Sequence, residues 1–156
     1  MLEGLFVTPV VAAIAEALGS SQRGGKPGEK LAGKVAVLGD AKVAQALAAS
    51  CDVVAIAIPA RNAKKLGDIA TLAALDDSIA DRSFACVIGS MVATDEEWPA
   101  TLARWRRVVR EGGTIVMVDR GHATEASRRA LCTGLGDIQQ RRAGRSVVTS
   151  GVVMHL

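Results

Sequence analysis

Short runs of aliphatic and β-branched residues recur along the chain, separated by stretches with helical character. "KVAVL" (34–38), "DVVAIAI" (52–58), "SFACVIG" (83–89) and "TIVMV" (114–118) are each too short for a buried helix and are bounded by Gly, Pro or polar residues. Between them, the alanine-rich segment 41–50, the short segment 61–66 and the segments 94–111 and 124–132 read as helices. Segment 69–75 fits strand and helix equally. A chain that alternates in this way folds as a mostly parallel sheet with helices on both faces. The end departs from the pattern. Residues 137–142 and 146–154 read as two strands joined at Ala143-Gly144, a hairpin that adds antiparallel pairing at one edge.

The strongest helix follows the third of these apolar runs, "SFACVIG". Thr94 and Glu97 have capping-box spacing, and Pro99 is an alternative first helical residue. Leu102, Trp105 and Val109 line one side, and Gly112-Gly113 is the expected stop. Thr124 is the expected cap of the next helix, and Gly134 its end. Near the N-terminus, Thr8 and Pro9 can open a helix whose apolar face is Val10, Val11, Ile14 and Leu18, with Gly19 closing it. Glu3, Pro9 and Glu16 argue against reading this segment as a signal peptide. The expected organisation is an N-terminal helix (1–19), a flexible glycine-rich link (20–33) and an α/β domain (34–156).

With 156 residues, the chain can build one domain with a substantial core. Aromatics make up 3% of it, so a base-stacking surface for single-stranded nucleic acid is not expected. Arg104, Arg106, Arg107 and Arg110 fall together, as do Arg141, Arg142 and Arg145. The plain reading is solvated faces; the sharper one is contact with an acidic partner, nucleic acid included. Cys51, Cys86 and Cys132 show neither zinc spacing nor an even disulfide count, so no metal is expected and reduced cytoplasmic thiols fit best. No run approaches the length of a membrane-spanning helix. Walker, G-x-S-x-G and H-E-x-x-H patterns are absent from the sequence.

"LARWRRVVREGGTIVMVDR" (102–120) resembles the helix, Gly-Gly turn and fifth strand of the class I S-adenosylmethionine-dependent methyltransferases. "DRSFACVIGS" (81–90) is similar to the fourth-strand segment of that family, and "GLGDIQQRRAGRSVVTSGVVMHL" (134–156) to its closing strand pair. The resemblance runs over 34–156 in the family's order. It implies a Rossmann-like, seven-stranded sheet, mostly parallel with an antiparallel C-terminal hairpin and helices on both faces.

The same resemblance implies an emptied cofactor site. The family's glycine-rich first turn corresponds to "VLGDAKVAQAL", where Gly39 remains and Ala41 and Val43 stand at the later glycine positions, their side chains expected in cofactor space. The ribose-binding acid after the second strand falls on Ala57, with Pro59 close behind. The fourth-strand aspartate falls on Ala85. Asp68, Asp76 and Asp77 are adenine-side candidates out of register. Each lost charged hydrogen bond to a ligand removes about 1.5–3 kcal/mol of binding.

The expectation is therefore a non-catalytic methyltransferase-like module for binding or assembly, with a protein partner or a homo-oligomer and without a cofactor. The alternative is a small methyltransferase that holds S-adenosylmethionine through Gly39 and Asp40, with Asp119 or His122 facing the cleft. A dehydrogenase-like nucleotide binder is disfavoured, because G-x-G-x-x-G is missing and no acid closes the second strand. Three surfaces stand out for a partner. They are the N-terminal helix, the arginine helix, and the apolar end "VVTSGVVMHL" as a self-pairing edge.

Overall fold

The computed structural model describes residues 9–21 and 33–155. Seven strands form one sheet in the order β3-β2-β1-β4-β5-β7-β6. The strands are β1 Lys34–Leu38, β2 Asp52–Ile56, β3 Ala70–Leu72, β4 Phe84–Ser90, β5 Val109–Asp119, β6 Gly136–Ala143 and β7 Ser146–Val152. β1 to β5 are mutually parallel, and β7 inserts antiparallel between β5 and β6. The helices are α1 Pro9–Ser21, α2 Ala41–Leu47, α3 Trp98–Val108 and α4 Ala123–Cys132, with short 3-10 segments at Ala60–Leu66 and Val92–Thr94.

The alternation of side chains along each strand divides the core into two layers. Val35, Val37, Val53, Ala55, Cys86, Ile88, Val116 and Val148 face α1 and α2. Ala36, Val54, Ile56, Val87, Ile115 and Met117 face α3 and α4. Burial on both faces explains why the central strands read as unbroken apolar runs. α1 lies on the first face over β5, β6 and β7, and Arg141 Nε on β6 reaches Glu16 Oε2 on α1 at 3.3 Å. That helix is thus packed within its own chain, and it continues past Gly19 to Ser21. The expected Thr8 cap and nearly all of the link lie outside the described residues.

Several boundaries differ from the sequence reading for local reasons. α3 ends at Val108, ahead of the glycine pair, because Val109 already pairs with Phe84. Gly112 and Gly113 instead bulge β5 and exchange hydrogen bonds with Val153, whose N–H donates to Gly113 O at 2.8 Å. The Thr94–Glu97 capping box does not form. Asp95 anchors that entry, accepting from Glu97 N and from the Thr101 hydroxyl, both at 2.9 Å, with Pro99 in the first turn. α4 opens at Ala123 from a left-handed His122, without a Thr124 side-chain cap. Segment 69–75 contributes β3, a three-residue edge strand. The hairpin turns at Gly144-Arg145, one residue later than expected, and β7 is interior. The apolar C-terminal run is therefore not a free edge; the polar β6 is.

Between β3 and β4 the chain passes over β2 and β1 through residues 73–83 without a helix. Such parallel crossovers are usually helical. Here Asp76 binds the Ser78 amide and hydroxyl, a local turn that competes with helix. Arg107 of α3 pins the segment. Its guanidinium donates to Ile79 O, Asp76 O and the Asp81 carboxylate, and Arg82 N donates to Arg107 O.

Candidate functional site: the carboxyl ends of the parallel strands

In an open parallel sheet the site for a ligand lies beyond the carboxyl ends of the strands. Here those ends share one construction. Gly39, just past β1, donates its amide to Ile56 O at 2.9 Å. Ala57, just past β2, donates to Leu72 O at 3.0 Å, and Met91, just past β4, donates to Val118 O at 3.0 Å. Each amide adds a last rung to the parallel ladder, and each residue then turns the chain sharply through a left-handed backbone, with φ of +72°, +56° and +67°. Beyond β5, Gly121 and His122 are also left-handed. Glycine adopts this conformation freely, whereas Ala57, Met91 and His122 do so against a steric cost of about 1–2 kcal/mol. Non-glycine strain of this kind concentrates at functional edges.

Asp40, Asp119 and Asp95 at this edge each give one carboxylate oxygen to a backbone amide. Asp40 Oδ1 accepts from Val43 N at 3.0 Å and caps α2. Asp119 is buried; its Oδ1 accepts from Ala93 N at 2.9 Å, and its Oδ2 is buried with no hydrogen-bond partner among the described residues. Burial raises the Asp119 carboxyl above its ordinary range, against the opposing pull of the Ala93 amide, His122 and Arg129. Asp95 holds the entry to α3. Ser90, Met91 and His122 are exposed there, and Met91 is a large apolar side chain open to solvent.

Gly39 and Asp40 lie together at the exit of β1, as expected, and Ala57 sits beside them at the exit of β2 with no side-chain acceptor. Ala41 and Val43 are placed differently from the sequence reading. α2 begins at Ala41, directly after its cap, so both side chains are buried in the core beneath the helix. The wide glycine loop is replaced by a helix start, and the space beside Gly39 stays open, with no described residue beyond its chain neighbours within 4 Å of where a Cβ would sit. Asp68 precedes β3, and Asp76 and Asp77 lie in the crossover beside Arg107, so none of the three joins the strand exits. Ala85 is buried inside β4.

The turn between β4 and α3 is the feature that sequence reasoning missed. Arg129 of α4 donates to Val92 O and Asp95 O, pairs with Glu125 at 2.7 Å, and stacks on Trp98 at 5.2 Å. Two arginines from the clusters are likewise used internally, with Arg106 Nη2 donating to Met154 O at 2.6 Å and Arg107 clamping the crossover. α3 therefore presents no unbroken basic face. Among the described residues no cluster of His, Cys, Asp and Glu could hold a metal, and no helix is long and apolar enough to cross a membrane. Cys51 and Cys86 are buried free thiols, Cys86 pushed far up by desolvation, and Cys132 is exposed.

No protein-family model and no curated protein matches the sequence. Solved structures do match the fold. The CurJ carbon methyltransferase superposes with a TM-score of 0.70 at 8% identity, covering 93% of this chain and 54% of that one. A chain from the complex between the Haloferax volcanii Trm112 methyltransferase activator and a methyltransferase partner gives 0.69 at 15% identity, covering 92% and 89%. The T. thermophilus 16S rRNA N2 G1207 methyltransferase RsmC, solved with AdoMet and guanosine, gives 0.59 at 17% identity, covering 90% and 39%. The chain thus spans about half the length of the carbon methyltransferase and less of RsmC. It has the class I S-adenosylmethionine-dependent methyltransferase fold, with the seven-stranded, mostly parallel sheet and antiparallel C-terminal hairpin that the sequence resemblance implied.

Proposed function

We propose that this chain is a non-catalytic methyltransferase-fold module that acts by binding another protein chain or a second copy of itself, without S-adenosylmethionine. One observation carries the reading. At the exits of β1 and β2, where ribose and the amino acid end of the cofactor would need acceptors, Ala57 offers none and the Asp40 carboxylate is engaged by the α2 amide of Val43. The Haloferax volcanii complex supports the partner half of the reading, since there a methyltransferase chain is held by a separate protein. The outer edge of β6 and the short β3 are the sheet edges available for such pairing. Free thiols support a reducing, cytoplasmic setting.

The alternative, a small methyltransferase, is favoured by the open space beside Gly39 and by RsmC's bound AdoMet. Calorimetric titration with S-adenosylmethionine and S-adenosylhomocysteine separates the two. No heat and no thermal shift at millimolar ligand is expected, and saturable micromolar binding overturns the module reading. Sedimentation of the chain alone then tells self-association from the need for a different partner.

A further inference from the structure

The helix-free crossover leaves a cavity of about 490 Å³ on the sheet face away from α1 and α2. It runs from Leu72, at the carboxyl end of β3, to Lys34 and Ser83, at the amino ends of β1 and β4. It therefore extends to the edge opposite Gly39 and Asp40. Its floor is apolar, formed by Val54, Leu72 and Phe84, and Ile79 of the crossover contributes to its wall. Leu72, on the exposed edge strand, leaves part of its side chain open to this cavity. The volume lies within the range of small-molecule sites, which are mostly apolar with a few polar groups that fix orientation.

The polar content of the lining is specific. Lys34 is its charged member among the described residues, and it forms no ion pair with them, its cross-strand neighbour Asp52 included. The Ser83 hydroxyl donates to Ala80 O, leaving its lone pairs at the rim. The three contacts from Arg107 hold the crossover in place without a ligand, so the cavity is formed in advance. We propose that this cavity is a binding site for a small amphiphilic carboxylate, its apolar body on Val54, Leu72 and Phe84 and its carboxylate on Lys34. The site is independent of the cofactor edge and stands whether or not S-adenosylmethionine binds.

Decanoate and decanol serve as probes, followed by calorimetry and by methyl NMR of Leu72 and Val54. Decanoate binds saturably below millimolar concentration and shifts those methyls while leaving the amides of Gly39 and Asp40 in place. Lys34→Gln, at an exposed position, weakens decanoate about tenfold or more and leaves decanol unchanged, the loss expected for one charged hydrogen bond. Ala70→Trp, on the exposed edge strand, fills the cavity and abolishes both. The absence of saturable decanoate binding, shifts at Gly39 and Asp40 in place of Leu72, or undiminished affinity in Lys34→Gln would each overturn the proposal.

Discussion

Asp119 Oδ1 accepts a 2.9 Å hydrogen bond from the amide of Ala93, so the carboxyl end of β5 holds the turn that leaves β4. The bond is buried and joins residues far apart in sequence. Asp119→Ala leaves the Ala93 amide without its partner and is expected to cost about 1–3 kcal/mol in urea unfolding. Asp119→Asn keeps the acceptor and isolates the charge. Because burial raises the folded carboxyl above its ordinary value of 3.8, the folded state holds the proton more tightly than the unfolded state. That contribution is fully present below pH 3.8 and is lost as pH rises through the folded pKa. Wild-type stability relative to Asp119→Asn should therefore fall across this window. A difference that is flat or rising with pH would refute the assignment.

Gly89 lies under the indole of Trp105. A Cβ there would come within 2.1 Å of Cη2 and 2.5 Å of Cζ2. Trp105 is buried among Val87, Leu102 and Val108, so the ring cannot swing into solvent. Gly89→Ala should destabilise the protein by about 1–3 kcal/mol, as overpacked cores do. Adding Trp105→Phe should recover part of the loss. Thermal melts of the two single variants and the double variant check this, and simple additivity would show that the ring is not the obstacle.

The strands that build the sheet were legible because burial on both faces writes an unbroken apolar run, as in "KVAVL" and "SFACVIG". Helix ends were less so, since tertiary partners decide them. Val109 leaves α3 to pair with Phe84, and Asp95 displaces the Thr94–Glu97 box by binding Glu97 N and Thr101. At the candidate site, the missing acid at Ala57 was readable from the sequence. The direction of the Ala41 and Val43 side chains was not: the helix starts at Ala41 as read, but the Asp40 cap and the packing of α2 on the sheet decide that both face the core. The role of Arg129 was hidden as well, since its carbonyl partners on Val92 and Asp95 carry no sequence signal.

Ala57 combines a rung of the ladder with a φ of +56°. Replacement by glycine removes a left-handed penalty of about 1–2 kcal/mol and gives back about 0.4–1 kcal/mol in unfolded-state entropy. Ala57→Gly should therefore match or slightly exceed wild-type stability. Ala57→Val should lose more than about 1 kcal/mol, since β-branched residues fit the left-handed region poorly. Chemical denaturation of the pair measures the difference, and equal stability of the two would place Ala57 outside that region in solution.

Arg107 makes its contacts at the opposite end of the sheet from Asp119, and its role is local. Arg107→Ala should accelerate amide exchange across residues 76–82 by about tenfold or more, with little change in the protection of β4 and β5. Uniformly faster exchange throughout the sheet would mean that the crossover is part of the global fold and not a separately clamped segment.

Glu125 gives the pH dependence of α4. Hydrogen bonds from Arg128 and then Arg129 lower its pKa from 4.5 to about 2. A carboxylate depressed in the folded state contributes stability that is present above the unfolded value and lost as pH falls through the folded one. On acidification from pH 4.5 towards 2, the Glu125 link to Arg129 should therefore weaken. Arg129 also holds Val92 O and Asp95 O, so the loosening should spread to the turn after β4 and be seen as line broadening at Ala93 and Asp95. Glu125→Gln should abolish the pH-dependent part of that broadening. Its persistence in the variant would assign the acid response to another carboxylate, Asp119 on the Ala93 amide first among them.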